Sequence, residues 1–141
     1  MKIGFIGAGK AGCSLGKYFC EKTLPDLTLT GFYSKTPAHA QWAAQFTQSQ
    51  FFPSPEDVIS NSDVIIISTP DSVVDLIWQS IPKEILKGKI ICHLSGSLSS
   101  DVFSKRESYG AYGISIHPLF AFSNKESVYQ QLHQACFTLE G

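Results

Sequence analysis

The residues best able to do chemistry in this chain are small, polar and grouped in short blocks. Gly7-Ala8-Gly9-Lys10-Ala11-Gly12 reads GxGxxG and directly follows an apolar run. In that setting each glycine has a task. Gly7 permits the tight turn out of a strand, Gly9 leaves the backbone open to a pyrophosphate, and Gly12 lets a helix pack close to the strand. A helix starting here turns free N–H groups and a positive dipole end toward phosphate oxygens, with Lys10 and Ala11 in its first turn. The chemistry implied is that of a dinucleotide cradle.

A second block, Phe32-Tyr33-Ser34-Lys35-Thr36, decides which dinucleotide. An NAD site usually has Asp or Glu at the end of the second strand, to bond the ribose hydroxyls. Here there is none, and Asp26 falls before the strand. Ser34 and Thr36 can donate hydrogen bonds to a 2′-phosphate and Lys35 can supply charge. The pattern favours NADP over NAD.

Three more clusters follow later strands, where ligands bind in open α/β sheets. Ser68-Thr69-Pro70-Asp71 offers hydroxyls to the ribose or nicotinamide side, with Thr69 and Pro70 as cofactor contacts; the same residues also suit a helix cap. In His93-Leu94-Ser95-Gly96-Ser97, Ser95 and Ser97 can orient a substrate carbonyl or hydroxyl, while His93 reads as a structural histidine. In His117-Pro118-Leu119-Phe120, His117 can give or take a proton near neutral pH, or be a turn histidine held by hydrogen bonds. Ser95 and His117 are the candidate catalytic residues. His39 and His133 fall in predicted helices and read as surface residues. The four histidines have no metal-ligand spacing. Cys13, Cys20, Cys92 and Cys136 form no CxxC pair and read as small buried residues in a reducing compartment.

The elements that must position these blocks alternate along the chain. Strands are predicted at Lys2 to Ile6, Leu27 to Tyr33, Gln50 to Phe52, Asp63 to Ser68, Lys89 to Leu94, Ala111 to Ile116 and Cys136 to Leu139. Helices are predicted at Lys10 to Lys22, Pro37 to Thr47 (capped by Thr36), from Ser54 onward, and at Asp71 to Ile81, Ser99 to Ser108 and Ser127 to Gln134. The unbroken β-branched core of Asp63 to Ser68 suggests burial on both faces, as in a parallel sheet. The alternation predicts an α/β fold, a doubly wound, mostly parallel Rossmann sheet in a single domain.

Composition agrees with a globular domain: 141 residues, 43% hydrophobic and 16% charged. A formal net charge of −1 gives no sign of nucleic acid or an anionic membrane as partner. No apolar run approaches the ~20 residues that span a bilayer. The start, MKIGFIGAGK, leaves no room for a signal peptide, so a cytoplasmic location is the default.

Four blocks taken in order, GFIGAGKAGCSLG, DVIIIS-TPD, HLSGSLSSDVF and SIHPLFAFSN, resemble one group of Rossmann-like NADP oxidoreductases with a helical C-terminal domain of unknown function. The group is similar to pyrroline-5-carboxylate reductases, deazaflavin-dependent NADP reductases and the wider 6-phosphogluconate dehydrogenase-like superfamily. The glycine loop and the TPD block are general to that superfamily. The HxSG block (His93, Ser95, Gly96) and the HP block (His117, Pro118) are more specific, although prephenate dehydrogenases share a His-Pro turn.

The resemblance implies that residues 1–141 are the NADP-binding domain of a two-domain enzyme, homodimeric through a helical domain absent from this chain. The expected activity is hydride transfer between the nicotinamide and a small carbonyl, imine or alcohol substrate. Two alternatives stand beside it: a non-catalytic NADP(H)-binding sensor or assembly module, and a prephenate dehydrogenase-like enzyme.

Overall fold

The computed structural model describes residues 1–22 and 24–141. Strand β1 (Lys2–Ile6) runs into helix α1 (Lys10–Glu21), and β2 (Thr28–Tyr33) into α2 (Pro37–Thr47). A two-residue β3 (Gln50–Phe51) precedes the short α3 (Pro55–Ser60). Then come β4 (Val64–Ile67), α4 (Asp71–Ser80), β5 (Ile90–His93), β6 (Tyr112–Leu119) and β7 (Cys136–Glu140). The seven strands form one sheet in the order β3-β2-β1-β4-β5-β6-β7. The first six are parallel and β7 is antiparallel to β6. The chain is therefore the expected doubly wound α/β domain, and its strand order reverses between β1 and β4, where such sheets open a crevice.

Side chains alternate across β4. Ile65 and Ile67 join Val58, Val74, Trp78 and Phe103 on one face. Val64 and Ile66 join Phe5, Leu15, Phe32 and Ala43 on the other. All four β4 residues are buried, as the run of β-branched residues requires when both faces are covered. Against the second face Phe5 stacks on Phe32 with ring centroids 5.0 Å apart, and α1 approaches closely because Gly16 has no side chain: a Cβ there would stand 2.6 Å from the Phe32 ring.

Local signals set several helix ends. Pro37 occupies the first turn of α2, where its missing N–H costs nothing. Ser54 caps α3 by accepting the Asp57 N–H at 3.2 Å, and its hydroxyl donates to the Asp57 carboxylate at 2.8 Å. Thr36 stands at the N-cap of α2 but its side chain makes no cap bond. At α4 the N-cap is Pro70, so neither Thr69 nor Asp71 caps the helix.

Three expectations need correction. Ser99 to Ser108 is not one helix but two 3-10 turns, Ser100–Val102 and Arg106–Tyr109. Lys105, at φ +58°, breaks the path between them, so the Ser99 hydroxyl, which accepts the Asp101 N–H at 3.2 Å, caps only a single turn. The segment after Ser127 is likewise a 3-10 helix, Val128–Gln134. Finally, β6 does not stop at Ile116. It continues to Leu119 because β7 pairs along it from Ser115↔Glu140 to Leu119↔Cys136. His117 and Pro118 therefore lie inside a strand, not in a turn after it.

Candidate functional site

The carboxyl ends of β1, β2 and β4 meet at the glycine loop. Gly7 leaves β1 at φ +111°, a conformation that only glycine adopts without strain. Its N–H donates to the Tyr33 carbonyl at 2.7 Å, tying the loop to the end of β2. Its carbonyl accepts the Ser68 hydroxyl at 3.1 Å, tying it to the end of β4. Gly12 makes this latch possible: a Cβ there would stand 2.4 Å from the Ser68 oxygen. The close approach that the sequence assigns to Gly12 is thus to the end of β4, while Gly16 makes the close packing against β2. Gly9 is exposed, and a Cβ there would meet nothing within 4 Å. Its bare backbone faces open space, as a phosphate-approach position must.

A cleft of about 530 Å³ opens beside the loop. Its floor is Ile6 to Gly9; Tyr33, Ser34 and Lys35 wall it at the end of β2, and Ser68, Thr69 and Pro70 at the end of β4. Val73, Ile77 and Ser80 of α4 line its apolar side. Of the expected cofactor contacts, Gly7, Gly9, Ser34, Lys35, Thr69 and Pro70 all border this space. Thr36 is exposed and is not part of its wall. Lys10 borders an adjoining cavity instead, and Ala11 and Gly12 border neither.

One residue read from sequence as mere surface belongs here. His39, on the third position of α2, lines both cavities. Pro37 fixes where α2 begins and so places residue 39 in its first turn, shortly after the Ser34–Lys35 corner.

Thr69 carries a sharper mark. Its Oγ1 is buried and has no hydrogen-bond partner among the described residues. Buried hydroxyls are normally bonded, and leaving one unpaired costs about 1–3 kcal/mol. A bound ligand's oxygen or nitrogen would satisfy it. Ser68 has no such freedom, since its hydroxyl is held by Gly7.

Beyond β5 the serines hold one another. The Ser95 hydroxyl accepts the N–H groups of Ser97 at 3.0 Å and Leu98 at 3.1 Å, and lies 3.2 Å from the Ser97 hydroxyl. Ser95 is buried and its oxygen shapes the loop. Ser97 is exposed and donates to the Asp71 carboxylate at 2.6 Å. That bond, and Ser95 beside it, hold the Asp71 carboxyl below the usual aspartate range.

The two strand-end histidines differ in kind. His93 is fully buried. Its Nδ1 accepts the Ser95 N–H at 3.2 Å and its Nε2 faces the Ser99 carbonyl at 3.1 Å, so both ring nitrogens serve the fold. His117 is half-buried, and its Nδ1 is buried without a partner among the described residues. Its ring lies against Gly96, where a Cβ would stand 2.5 Å from the imidazole Cε1. The structure thus brings His117 onto the β5 loop that carries Ser95, two residues past the last β5–β6 pair, His93↔Ser115.

Among the described residues no three His, Cys, Asp or Glu side chains converge to hold a metal, and no helix is long and apolar enough to cross a membrane. The cysteines split. Cys13 and Cys92 are buried, and burial pushes their thiols up to about 11 and about 12. Cys20 is half-buried and Cys136 exposed, against the expectation of burial. A cavity of about 470 Å³ near Arg106 and Tyr112 lies at the amino-terminal end of β6, away from all the residues above.

Fold and cleft together define a doubly wound α/β domain with a cleft at the strand order's reversal. The chain belongs to the Rossmann-like domain family, which it matches over residues 1–118. No match was found among curated proteins. Among solved structures it is similar to the putative NADP oxidoreductase BF3122 from Bacteroides fragilis, with 23% identity over 99% of this chain and 51% of that one and a TM-score of 0.75. It is similar to the imine reductase BcSIRED from Bacillus cereus BAG3X2, at 21% identity over 86% and 42% of the two chains and a TM-score of 0.70. It also resembles Mycobacterium tuberculosis 3-hydroxyisobutyrate dehydrogenase, at 17% identity over 99% and 46% and a TM-score of 0.78. At these identities the likeness is one of fold, and the chain spans about half the length of these relatives.

Proposed function

We propose that this chain is the cofactor-binding domain of an NADP-dependent oxidoreductase that transfers hydride between nicotinamide and a small carbonyl, imine or alcohol substrate. The observation that carries the reading is the continuity of one cleft: it runs from the acid-free Ser34–Lys35 corner, past the open backbone of Gly9, to Thr69 and Pro70 at the end of β4. NADP, rather than NAD, fits a corner with a lysine and a serine and no carboxylate. The solved relatives support it by their descriptions, which name a putative NADP oxidoreductase and an imine reductase in complex with NADP+.

In this reading the cofactor supplies the hydride chemistry, and the protein orients it. Gly7, Gly9, Lys10, Ala11 and Gly12 form the phosphate cradle. Ser34 and Lys35 read the 2′-phosphate, with Thr36 outside the cleft wall. Thr69 and Pro70 face the ribose and nicotinamide half. His117, whose ring rests on the loop after β5, is the candidate proton donor or acceptor. Ser95 acts as a positioning residue, fixing the loop on which His117 rests. The substrate contacts, the homodimer interface and the helical second domain belong to the longer protein, and the cytoplasm is the compartment that suits it.

Fluorescence or calorimetric titration of NADPH and NADH into the chain tests the reading. NADPH binding at least tenfold tighter is expected, with the preference lost in Lys35→Glu. Equal affinities reject the NADP assignment, and no binding of either rejects the dinucleotide site.

A further inference from the structure

The glycine loop has a second flank. A cavity of about 310 Å³ shares Ala8, Gly9 and His39 with the main cleft and continues over Lys10 to the β6–β7 connection, Ser123 to Glu126. That connection is held in a defined shape. The Asn124 Oδ1 accepts the N–H groups of Ser127 at 2.8 Å and Val128 at 3.3 Å, and the Ser127 hydroxyl at 2.8 Å. Lys125 is oriented by Trp42 of α2, its Nζ 4.1 Å from the ring centroid, a favourable seat for an ammonium that has no carboxylate to meet.

The charge here is lopsided. Lys10, Lys35 and Lys125 form no ion pair among the described residues, and His39 lies among them. Among the described residues Glu126 is the single carboxylate lining either cavity. A chain of net charge −1 thus places three lysines without ion pairs among the described residues on the walls of two cavities that share Gly9. Such a focus of positive charge fits a polyanion. Lys125 shares its cavity with Gly9 and Lys10, whereas Lys35 lies only in the main cleft. Its place is therefore over the loop that cradles the pyrophosphate, not at the corner that reads the 2′-phosphate.

We propose that the β6–β7 connection is the outer jaw of the pyrophosphate site and that Lys125 is its charged contact. This rests on the dinucleotide reading above. Across the glycine backbone from α1, Lys125 would neutralise the phosphate charge that the α1 N–H groups bond. Because both dinucleotides carry the pyrophosphate, Lys125 would add affinity without discriminating between them.

The experiment is calorimetric titration of NADPH and NADH into the wild-type chain and the variants Lys125→Gln, Lys125→Arg and Lys35→Ala, with thermal melts as the folding control. Lys125→Gln is expected to weaken both dinucleotides by the same factor, about five- to twentyfold, with most of the affinity kept in Lys125→Arg. Lys35→Ala is expected to weaken NADPH alone. Should Lys125→Gln melt early, Glu126→Gln removes the one opposing carboxylate and is expected to tighten both dinucleotides about two- to threefold; unchanged affinities there overturn the proposal. Wild-type binding that Lys125→Gln leaves unchanged, or a loss confined to NADPH, also overturns the proposal and leaves the functional reading intact. A wild-type chain that binds neither dinucleotide overturns both.

Discussion

The imidazole of His117 lies directly on Gly96, so close that a Cβ on residue 96 would fall within 2.5 to 2.8 Å of three of its ring atoms. A strand side chain of β6 is thereby fixed on the loop after β5. The Gly96→Ala substitution must displace the ring, and overpacking of this kind costs about 1–3 kcal/mol. In a His117→Ala background the space is free and the same substitution should cost little. A double-mutant cycle read by denaturant unfolding is expected to give a coupling of about 1–2 kcal/mol. Additive effects would mean that the ring does not rest there in solution.

Gly9 and Gly12 should separate binding from folding. Gly9 has open space around it and no positive φ, so Gly9→Ala should change stability by no more than about 0.5 kcal/mol. NADPH affinity should nevertheless fall at least tenfold, because the added methyl occupies the phosphate approach. Gly12→Ala meets Ser68 and should lower both stability and affinity. Unfolding curves and titrations on the two variants check the split; a Gly9→Ala chain with wild-type affinity would contradict it.

Glu140 makes the end of β7 pH-sensitive. Its carboxylate accepts the Ser100 N–H at 2.6 Å and the Ser100 hydroxyl at 2.9 Å, and these bonds, the backbone one first, hold its pKa below the ordinary glutamate range. A carboxyl with a depressed folded-state pKa adds stability that is present above its unfolded pKa and is lost as pH falls through the folded value. The difference in melting temperature between wild type and Glu140→Gln should therefore be positive at pH 7 and shrink toward zero below about pH 4. A difference that does not vary with pH would show that the Ser100 bonds are not made.

The thiols should react in order of access. Cys136 is exposed, whereas Cys13 and Cys92 are buried with raised pKa values, and the thiolate is the reactive form. Alkylation of the folded chain at pH 8, followed by peptide mass spectrometry, should label Cys136 first, Cys20 more slowly, and the other two only after unfolding. Early labelling of Cys92 would mean that β5 opens readily.

Most of the sheet was legible in the sequence because its signals are local. The run from Val64 to Ile67 announces a strand buried on both faces, and the spacing of Gly7, Gly9 and Gly12 fixes a strand, a turn and a helix at once. What could not be read depends on distant partners. The length of β6, and with it the place of His117, is set by β7, which pairs some twenty residues away along the chain. The break at Lys105 reflects a left-handed backbone at a residue type that gives no warning of it. In the site, the corner at Ser34 and Lys35 was visible as a missing acid. The occupation of the Ser95 hydroxyl by two backbone N–H groups was not, because a serine after a strand looks the same whether its oxygen is free or bound. His39 was missed for the opposite reason: a helical, exposed histidine reads as ordinary surface until the neighbouring cavity is seen.

The latch between the Ser68 hydroxyl and the Gly7 carbonyl has a kinetic consequence. A glycine-rich loop left to itself samples many conformations, and a ligand must then bear the entropy of selecting one. Here bonds from two different strands clamp the loop before any ligand arrives. Association should therefore involve little loop rearrangement and proceed in a single fast phase, with differences in affinity among loop variants residing mainly in how quickly the ligand leaves.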